Sequence, residues 1–191
     1  MRMNVHDLIG EDIAAGAATG VFLQAKLLEE IESGEWRSEV IFLDFIGIKH
    51  ATASFLREAV LGLRQSVRRR APQLQVVIAN ASPTVLEELR FVLAAASDAA
   101  VVCELGRGDE VRKPRLLGTL EEAQRQTLRA VLALGEADAG ALRAMFKDES
   151  IGPTAWNNRL SALVDRGVLL EIRHGRSKTF RPVVEGLTYG S

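Results

Sequence analysis

Three side chains that could take part in chemistry, His50, Thr52 and Ser54, lie close together shortly after Asp44. A serine, a histidine and an aspartate are the residue types of a hydrolytic triad. Their spacing does not indicate a base within reach of a hydroxyl, or a further group that would orient such a base. We therefore predict no catalytic residues. The hydroxyls of Thr52 and Ser54 suit two other roles, capping the N-terminus of a helix or contacting a partner protein.

Basic side chains are concentrated between residues 166 and 181, where Glu171 is the single acid. Such a cluster can bind the phosphate backbone of a nucleic acid. The whole chain has a formal net charge of −1, so no global basic field draws it to DNA and any contact would be local. The cations of this cluster are Arg166, Arg173, Arg176, Lys178 and Arg181.

Composition narrows the possible classes of protein. With 191 residues, 47% of them hydrophobic, the chain suits one large or two small globular domains. Cys103 is the only cysteine, and neither glycine-rich phosphate-binding motif is present, so we predict no cofactor and no metal site. The N-terminus MRMNVHDLIG does not have the pattern of a signal peptide, and no apolar run has the length of a membrane span. We therefore expect a cytoplasmic protein with no membrane contact.

The elements around the first group alternate between strand and helix. Apolar runs at 40–43, 74–79 and 99–103 predict buried strands, the last of them an edge strand or the last strand of the sheet. Residues 4–9 predict a short strand, and an apolar stripe predicts a helix from about Gly20 to Ser33. Further helices are expected after Thr52 and after the Ser82-Pro83 pair. This order is typical of an α/β sheet with crossover helices.

The segments VIFLDFIGI, ATASFLREAV and LQVVIANASPTVLEELRFVL, in this order, resemble the STAS domain of anti-sigma-factor antagonists. They are more similar still to STAS-like domains of unknown function in bacterial proteins. The resemblance covers roughly residues 1–112 and implies an α/β fold that binds a protein partner. In antagonists a partner kinase phosphorylates a serine, and the matching position is Ser54. Because Thr52 and Phe55 replace the Asp and Gly of that motif, we expect partner docking at His50, Thr52 and Ser54 without a kinase switch.

The second half of the chain predicts three helices and a hairpin. Residues 113–118 are expected to be a linker, and Thr119 and Glu122 a capping box for a helix that ends at Gly135. A second helix is predicted over about 137–146, with Leu142, Met145 and Phe146 facing inward. A third should begin at Pro153 and end near Gly167. Strands at 168–172 and 178–183 complete the pattern.

The third helix has two distinct faces. Its apolar face contains Trp156, Leu160, Leu163 and Val164, and its polar face contains Thr154, Asn158, Ser161 and Asp165, with Asn157, Arg159 and Arg166 on the flanks. The segment NRLSALVDRGVLLEIRHGRSKTFRP and the order of elements resemble a winged helix-turn-helix of bacterial transcription regulators over about residues 119–186. That resemblance implies contact with double-stranded DNA, in which Asn158 could read adenine while Asp165 would repel phosphate. The candidate DNA-binding residues are Thr154, Asn157, Asn158, Arg159, Ser161, Arg173, His174, Arg176 and Lys178.

The sequence thus predicts an α/β STAS-like N-terminal domain (residues 1–112), a linker (113–118) and a C-terminal winged helix-turn-helix domain (119–191). We predict a non-enzymatic bacterial regulator that binds a protein partner and DNA and that can form a homodimer. Winged helices also bind proteins, so an adaptor that uses both domains for protein contacts is the alternative.

Overall fold

The computed structural model describes residues 1–33, 39–147, 150–175 and 177–189, and shows a mixed α/β fold. Its strands are β1 (Arg2–Asn4), β2 (Ile13–Ala14), β3 (Val40–Asp44), β4 (His50–Ala51), β5 (Gln75–Ala79), β6 (Ala99–Leu105), β7 (Val111–Gly118), β8 (Leu169–His174) and β9 (Ser177–Pro182). Its α-helices are α1 (Val5–Ile9), α2 (Ala17–Ser33), α3 (Ala53–Leu56), α4 (Leu63–Arg70), α5 (Pro83–Ala95), α6 (Glu122–Leu134), α7 (Ala139–Met145) and α8 (Pro153–Asp165).

A five-stranded sheet in the order β1-β3-β5-β6-β7 forms the centre of the molecule. The strands β1, β3, β5 and β6 are parallel, and β7 returns antiparallel to β6. The three predicted apolar runs form β3, β5 and most of β6, which confirms them as strands. The position predicted for the last run is wrong, because β6 lies between β5 and β7 and not at the edge of the sheet. The outer side of β7 is covered by the C-terminal tail, where Leu116 N donates to the Thr188 carbonyl over 3.0 Å.

The first face of the sheet is buried by helices of the N-terminal half. Alternate strand residues, such as Ile41, Leu43, Val76 and Ile78, join one core cluster with α2 to α5. α3 and α4 are joined by a π-helical segment, Arg57–Gly62, so residues 53–70 run as one helix. Gly20 of α2 packs so closely that an added Cβ would lie 2.7 Å from the Phe55 carbonyl oxygen, which only glycine allows.

The second face of the sheet is buried by the C-terminal half. Here the intervening strand residues, including Phe42, Val77 and Val101, join a second core cluster with Leu128, Trp156, Phe180 and others from residues 120–187. Because both faces are covered, the strands are apolar at consecutive positions rather than at alternate ones. The C-terminal half is therefore packed on the sheet.

The C-terminal half, which we call the C-terminal unit (residues 119–189), consists of α6, α7, α8 and the β8–β9 hairpin. Ala137 and Phe180 exchange backbone hydrogen bonds of 2.8 and 2.9 Å, so the segment between α6 and α7 adds a third, one-residue strand beside β9. α7 is capped by the Asp138 side chain, and α8 begins at Pro153 as predicted. α6 ends at Leu134 before Gly135, also as predicted.

Four other local predictions are wrong. Residues 113–118, expected to be a linker, belong to β7, because β6 offered a free edge for antiparallel pairing. The capping box is formed by Glu121 and Gln124, since the chain stays extended through Glu121 and α6 begins at Glu122. Met145 is 51% exposed, because α7 ends there. Residues 5–9 form a helix after a strand of three residues, because the Asn4 side chain caps it.

Candidate functional site

The Thr52 hydroxyl organises the loop that precedes α3. Its Oγ1 accepts hydrogen bonds from Phe55 N (3.3 Å) and from Gly16 N (3.1 Å), and it lies 3.1 Å from Ser54 Oγ. Thr52 is thus the N-cap of α3, whereas Ser54 lies inside the first turn. Thr52 is exposed and Ser54 half-buried, so one edge of this pair faces solvent.

The neighbouring loop residues are fixed from two sides. His50 is exposed and pairs with Ile13 in the small β2–β4 sheet. Lys49 forms an ion pair with Asp12 at 2.6 Å, which lowers the pKa of that carboxyl. The Lys49 carbonyl accepts hydrogen bonds from the hydroxyls of Ser82 and Thr84. The surface around the Thr52–Ser54 pair is therefore held in a defined shape.

Apolar side chains are exposed in the same loop region. Ile13, the partner of His50, is 50% exposed, and Ile46, two residues beyond β3, is 51% exposed. A single exposed isoleucine is common on protein surfaces. Here Ile13 pairs with β4, and Ile46 lies on the loop between β3 and β4. We call the surface formed by Ile13, Ile46, His50, Thr52 and Ser54 the loop surface.

Asp44 is used inside the fold. It is fully buried and accepts hydrogen bonds from Arg2 Nε (2.6 Å), Asn80 Nδ2 (2.8 Å) and Ile46 N (3.0 Å). In the described part of the chain no hydrogen bond joins it to His50, and none joins His50 to Ser54. Arg2 and Asn80 were missed from the sequence, because nothing in their spacing shows that they lie beside Asp44.

Cys103 is a buried thiol on the second face of the sheet. Burial, followed by the nearby carboxylates of Asp44 and Glu104, raises the pKa of Cys103 to about 12. The thiol therefore stays protonated at neutral pH and is a poor nucleophile.

α8 presents the predicted polar face to solvent. Trp156, Leu160 and Leu163 are buried, while Thr154 and Asn158 are exposed. Asn157 and Ser161 are half-buried on the border between the two faces. Thr154 and Asn158 thus lie in the N-terminal half of α8, and the exposed Asp165 is its last residue.

Arg159 is engaged within the C-terminal unit. Its guanidinium lies 4.8 Å from the centre of the Trp156 ring, and Nη1 donates to Gln126 Oε1 over 3.1 Å. A cation held over an aromatic face is less free to reach a ligand.

The cations of the β8–β9 hairpin share one acid. Glu171 accepts hydrogen bonds from Arg173 Nε (2.9 Å) and Lys178 Nζ (3.1 Å). Burial acts to raise the pKa of Glu171, but these two hydrogen bonds outweigh it and hold the pKa below its usual value. His174 is exposed at the end of β8, and Arg176 lies outside the described residues.

Arg64 of α4 fixes the C-terminal end of α8 to the rest of the chain. Its guanidinium is buried and donates to Asp98 Oδ2 (2.8 Å), the Ala99 carbonyl (2.7 Å) and the Arg166 carbonyl (2.7 Å). Burial lowers the pKa of this guanidinium and outweighs the attraction of Asp98, which acts to raise it. The Arg166 guanidinium donates to the Ser97 carbonyl, and Gln75 Nε2 donates to the Val164 carbonyl. Arg166 therefore serves this junction.

A sequence signal for the role of Arg64 was missed. Arg64 lies between Leu63 and Val67, two buried residues that belong to the apolar stripe of this helix. A charged residue in such a stripe must find a partner, because an unpaired buried charge is strongly unfavourable.

No protein-family model matches the chain, and no curated protein matches it significantly. Within the ranges that the structure describes, no group of three or more His, Cys, Asp or Glu side chains is placed to hold a metal ion. None of the described helices combines the length and apolar character needed to cross a bilayer.

Proposed function

We propose that this protein is a non-enzymatic regulator in which the C-terminal unit binds duplex DNA and the loop surface binds a protein partner. The observation that carries the DNA half is the placement of α8. Its C-terminal end is fixed by Arg64 and Gln75, while Thr154 and Asn158, in its N-terminal half, face solvent. Recognition helices of helix-turn-helix proteins contact base edges mainly through their N-terminal residues.

The arrangement around α8 supports a winged helix. The order α6, Ala137 strand, α7, α8, β8 and β9 gives three helices and a hairpin that pairs with a short third strand. In this interpretation α8 enters the major groove and the hairpin is the wing. Arg173, His174 and Lys178 on the hairpin would contact phosphates, and Arg176, a candidate from the sequence alone, would add a further contact.

Binding to labelled duplexes at several salt concentrations tests the DNA half. We expect the affinity to fall with salt, and an R173A/R176A/K178A variant to lose about one unit of log–log slope per lost phosphate contact. Asn158→Ala should weaken binding to a selected site by about 1–3 kcal/mol and binding to random duplex much less. Wild-type protein that shows no salt-dependent DNA binding would overturn this half of the proposal.

The partner half rests on the loop surface, where a fixed hydroxyl pair follows His50 and its exposed strand partner Ile13. Ser54→Glu should abolish capture of the partner protein from the native host, because a charge and added bulk enter the contact. Thr119→Glu, a hydroxyl replaced at an exposed position between β7 and α6, is the control for added charge. Normal capture by a folded Ser54→Glu protein would contradict docking at this surface.

A second candidate is an adaptor that binds proteins through both halves. The pairing of Arg173 and Lys178 with Glu171 favours it, because these ion pairs reduce the free positive charge on the hairpin. The salt titration separates the two candidates, since an adaptor would show no salt-dependent affinity for duplex DNA.

A further inference from the structure

We infer that the N-terminal half contributes to DNA binding through Arg68, which lies at the C-terminal end of α4 and binds a DNA phosphate beside α8, and through its exposed neighbour Arg69. This inference rests on the proposed function of the C-terminal unit. It assigns a second set of phosphate contacts to a part of the chain whose resemblance implies protein binding alone.

The position of Arg68 is the first support. Arg68 lines a groove of about 590 Å³ together with Asp165 of α8 and with Glu171 and Arg173 of the hairpin. A neighbouring groove is again lined by both Arg68 and Asp165, together with Ala162 of α8. Asp165 lies on the same side of α8 as Thr154 and Asn158, so the exposed face of α8 leads directly toward Arg68.

The charge state of the two arginines is the second support. Both are exposed, and neither forms an ion pair or hydrogen bond within the described ranges. Other arginines in this area are occupied: Arg64 and Arg166 bind Asp98, Arg70 contacts Glu32, and Arg181 pairs with Glu39. Arg68 and Arg69 are thus the cations here that can neutralise a phosphate without first releasing an acid.

These contacts would also offset Asp165. A carboxylate on the face of a recognition helix repels the phosphate backbone. The cation of α8, Arg159, does not compensate, because it contacts Gln126 and Trp156. A guanidinium supplied by α4 next to Asp165 reduces that repulsion. Because Arg64 fixes α4 to α8, the two sets of contacts keep a constant spacing.

The test is a salt titration of duplex binding with the full chain. R68A/R69A should lose about two units of log–log slope, and R68K/R69K should keep the wild-type slope because it keeps both charges. R90A/R107A is the matched control, since Arg90 and Arg107 are also exposed and unpaired in the described chain but lie on α5 and beyond the carboxyl end of β6.

The outcomes are distinguishable. If wild-type protein binds duplex with a clear salt slope and R68A/R69A matches R90A/R107A, this inference is overturned while the proposed function stands. If wild-type protein has no salt-dependent affinity, both fail. A thermal melt of each variant checks folding, and replacement of exposed arginines should leave the melting temperature nearly unchanged.

Discussion

The two faces of the central sheet are buried by different parts of the chain. One face, with Ile41, is covered by helices that alternate with the strands in sequence, as in other α/β sheets. The other face, with Phe42, is covered by residues 120–187, which follow the sheet in sequence. The C-terminal unit therefore completes the core of the sheet, and α8 is held at a fixed position relative to the loop surface.

Neighbouring residues on the two faces give the largest expected effect. Ile41→Ala and Phe42→Ala should each lower the free energy of unfolding by about 2–4 kcal/mol, because each empties a packed site in one of the two cores. Both should shift one cooperative transition, followed by circular dichroism and by Trp156 fluorescence in a Trp36→Phe background. Separate transitions for the two signals in the Phe42→Ala protein would show that the second face is not part of a shared core.

Removal of Arg64 should have the next largest effect. Arg64→Ala leaves Asp98 and two carbonyls without their donor, and should destabilise the protein by about 2–4 kcal/mol, since Asp98 keeps partial access to water. Arg69→Ala, in the same helix but exposed, should change stability by less than about 0.5 kcal/mol. Urea denaturation of both proteins makes the comparison, and equal stabilities would contradict the role of Arg64 at the junction.

Much of the first face could be predicted from the sequence, and little of the junction. Local patterns, which depend on neighbouring residues, predict strands β3, β5 and β6. They also predict the N-cap Ser82 and the helix start at Pro83. The sequence also pointed to both faces, because β3 and β5 are apolar without alternation. It could not show that the second face is covered by α6 to α8, or that Arg64 reaches the Arg166 carbonyl, 102 residues away. Such contacts depend on how elements pack.

The loop surface should respond differently at its two hydroxyls. Thr52→Ala removes the acceptor for Phe55 N and Gly16 N, and should destabilise the protein by about 1 kcal/mol. Ser54→Ala should change stability by less than about 0.5 kcal/mol, because Ser54 is not the cap. Thermal melts of the two variants decide the assignment, and the reverse order would make Ser54 the capping residue.

The hairpin should show a small change in stability but a gain in binding. Glu171→Gln removes an acid from Arg173 and Lys178, so affinity for duplex DNA should rise, with a stability loss below about 1 kcal/mol. Since the folded pKa of Glu171 is depressed, its stabilising contribution is present at neutral pH and is lost as the pH falls through that value. Unchanged affinity in the folded variant would argue against a wing contact.

The packing of the C-terminal unit on the sheet is tested most directly by the reactivity of Cys103. This thiol belongs to the second core cluster and is 6% exposed. We predict that a thiol reagent at pH 8 labels it only as fast as the native protein opens, and that Arg64→Ala, which loosens the junction, accelerates labelling. Rapid labelling of the wild-type protein in native buffer, at the rate of an unfolded chain, would contradict a second face closed by residues 120–187.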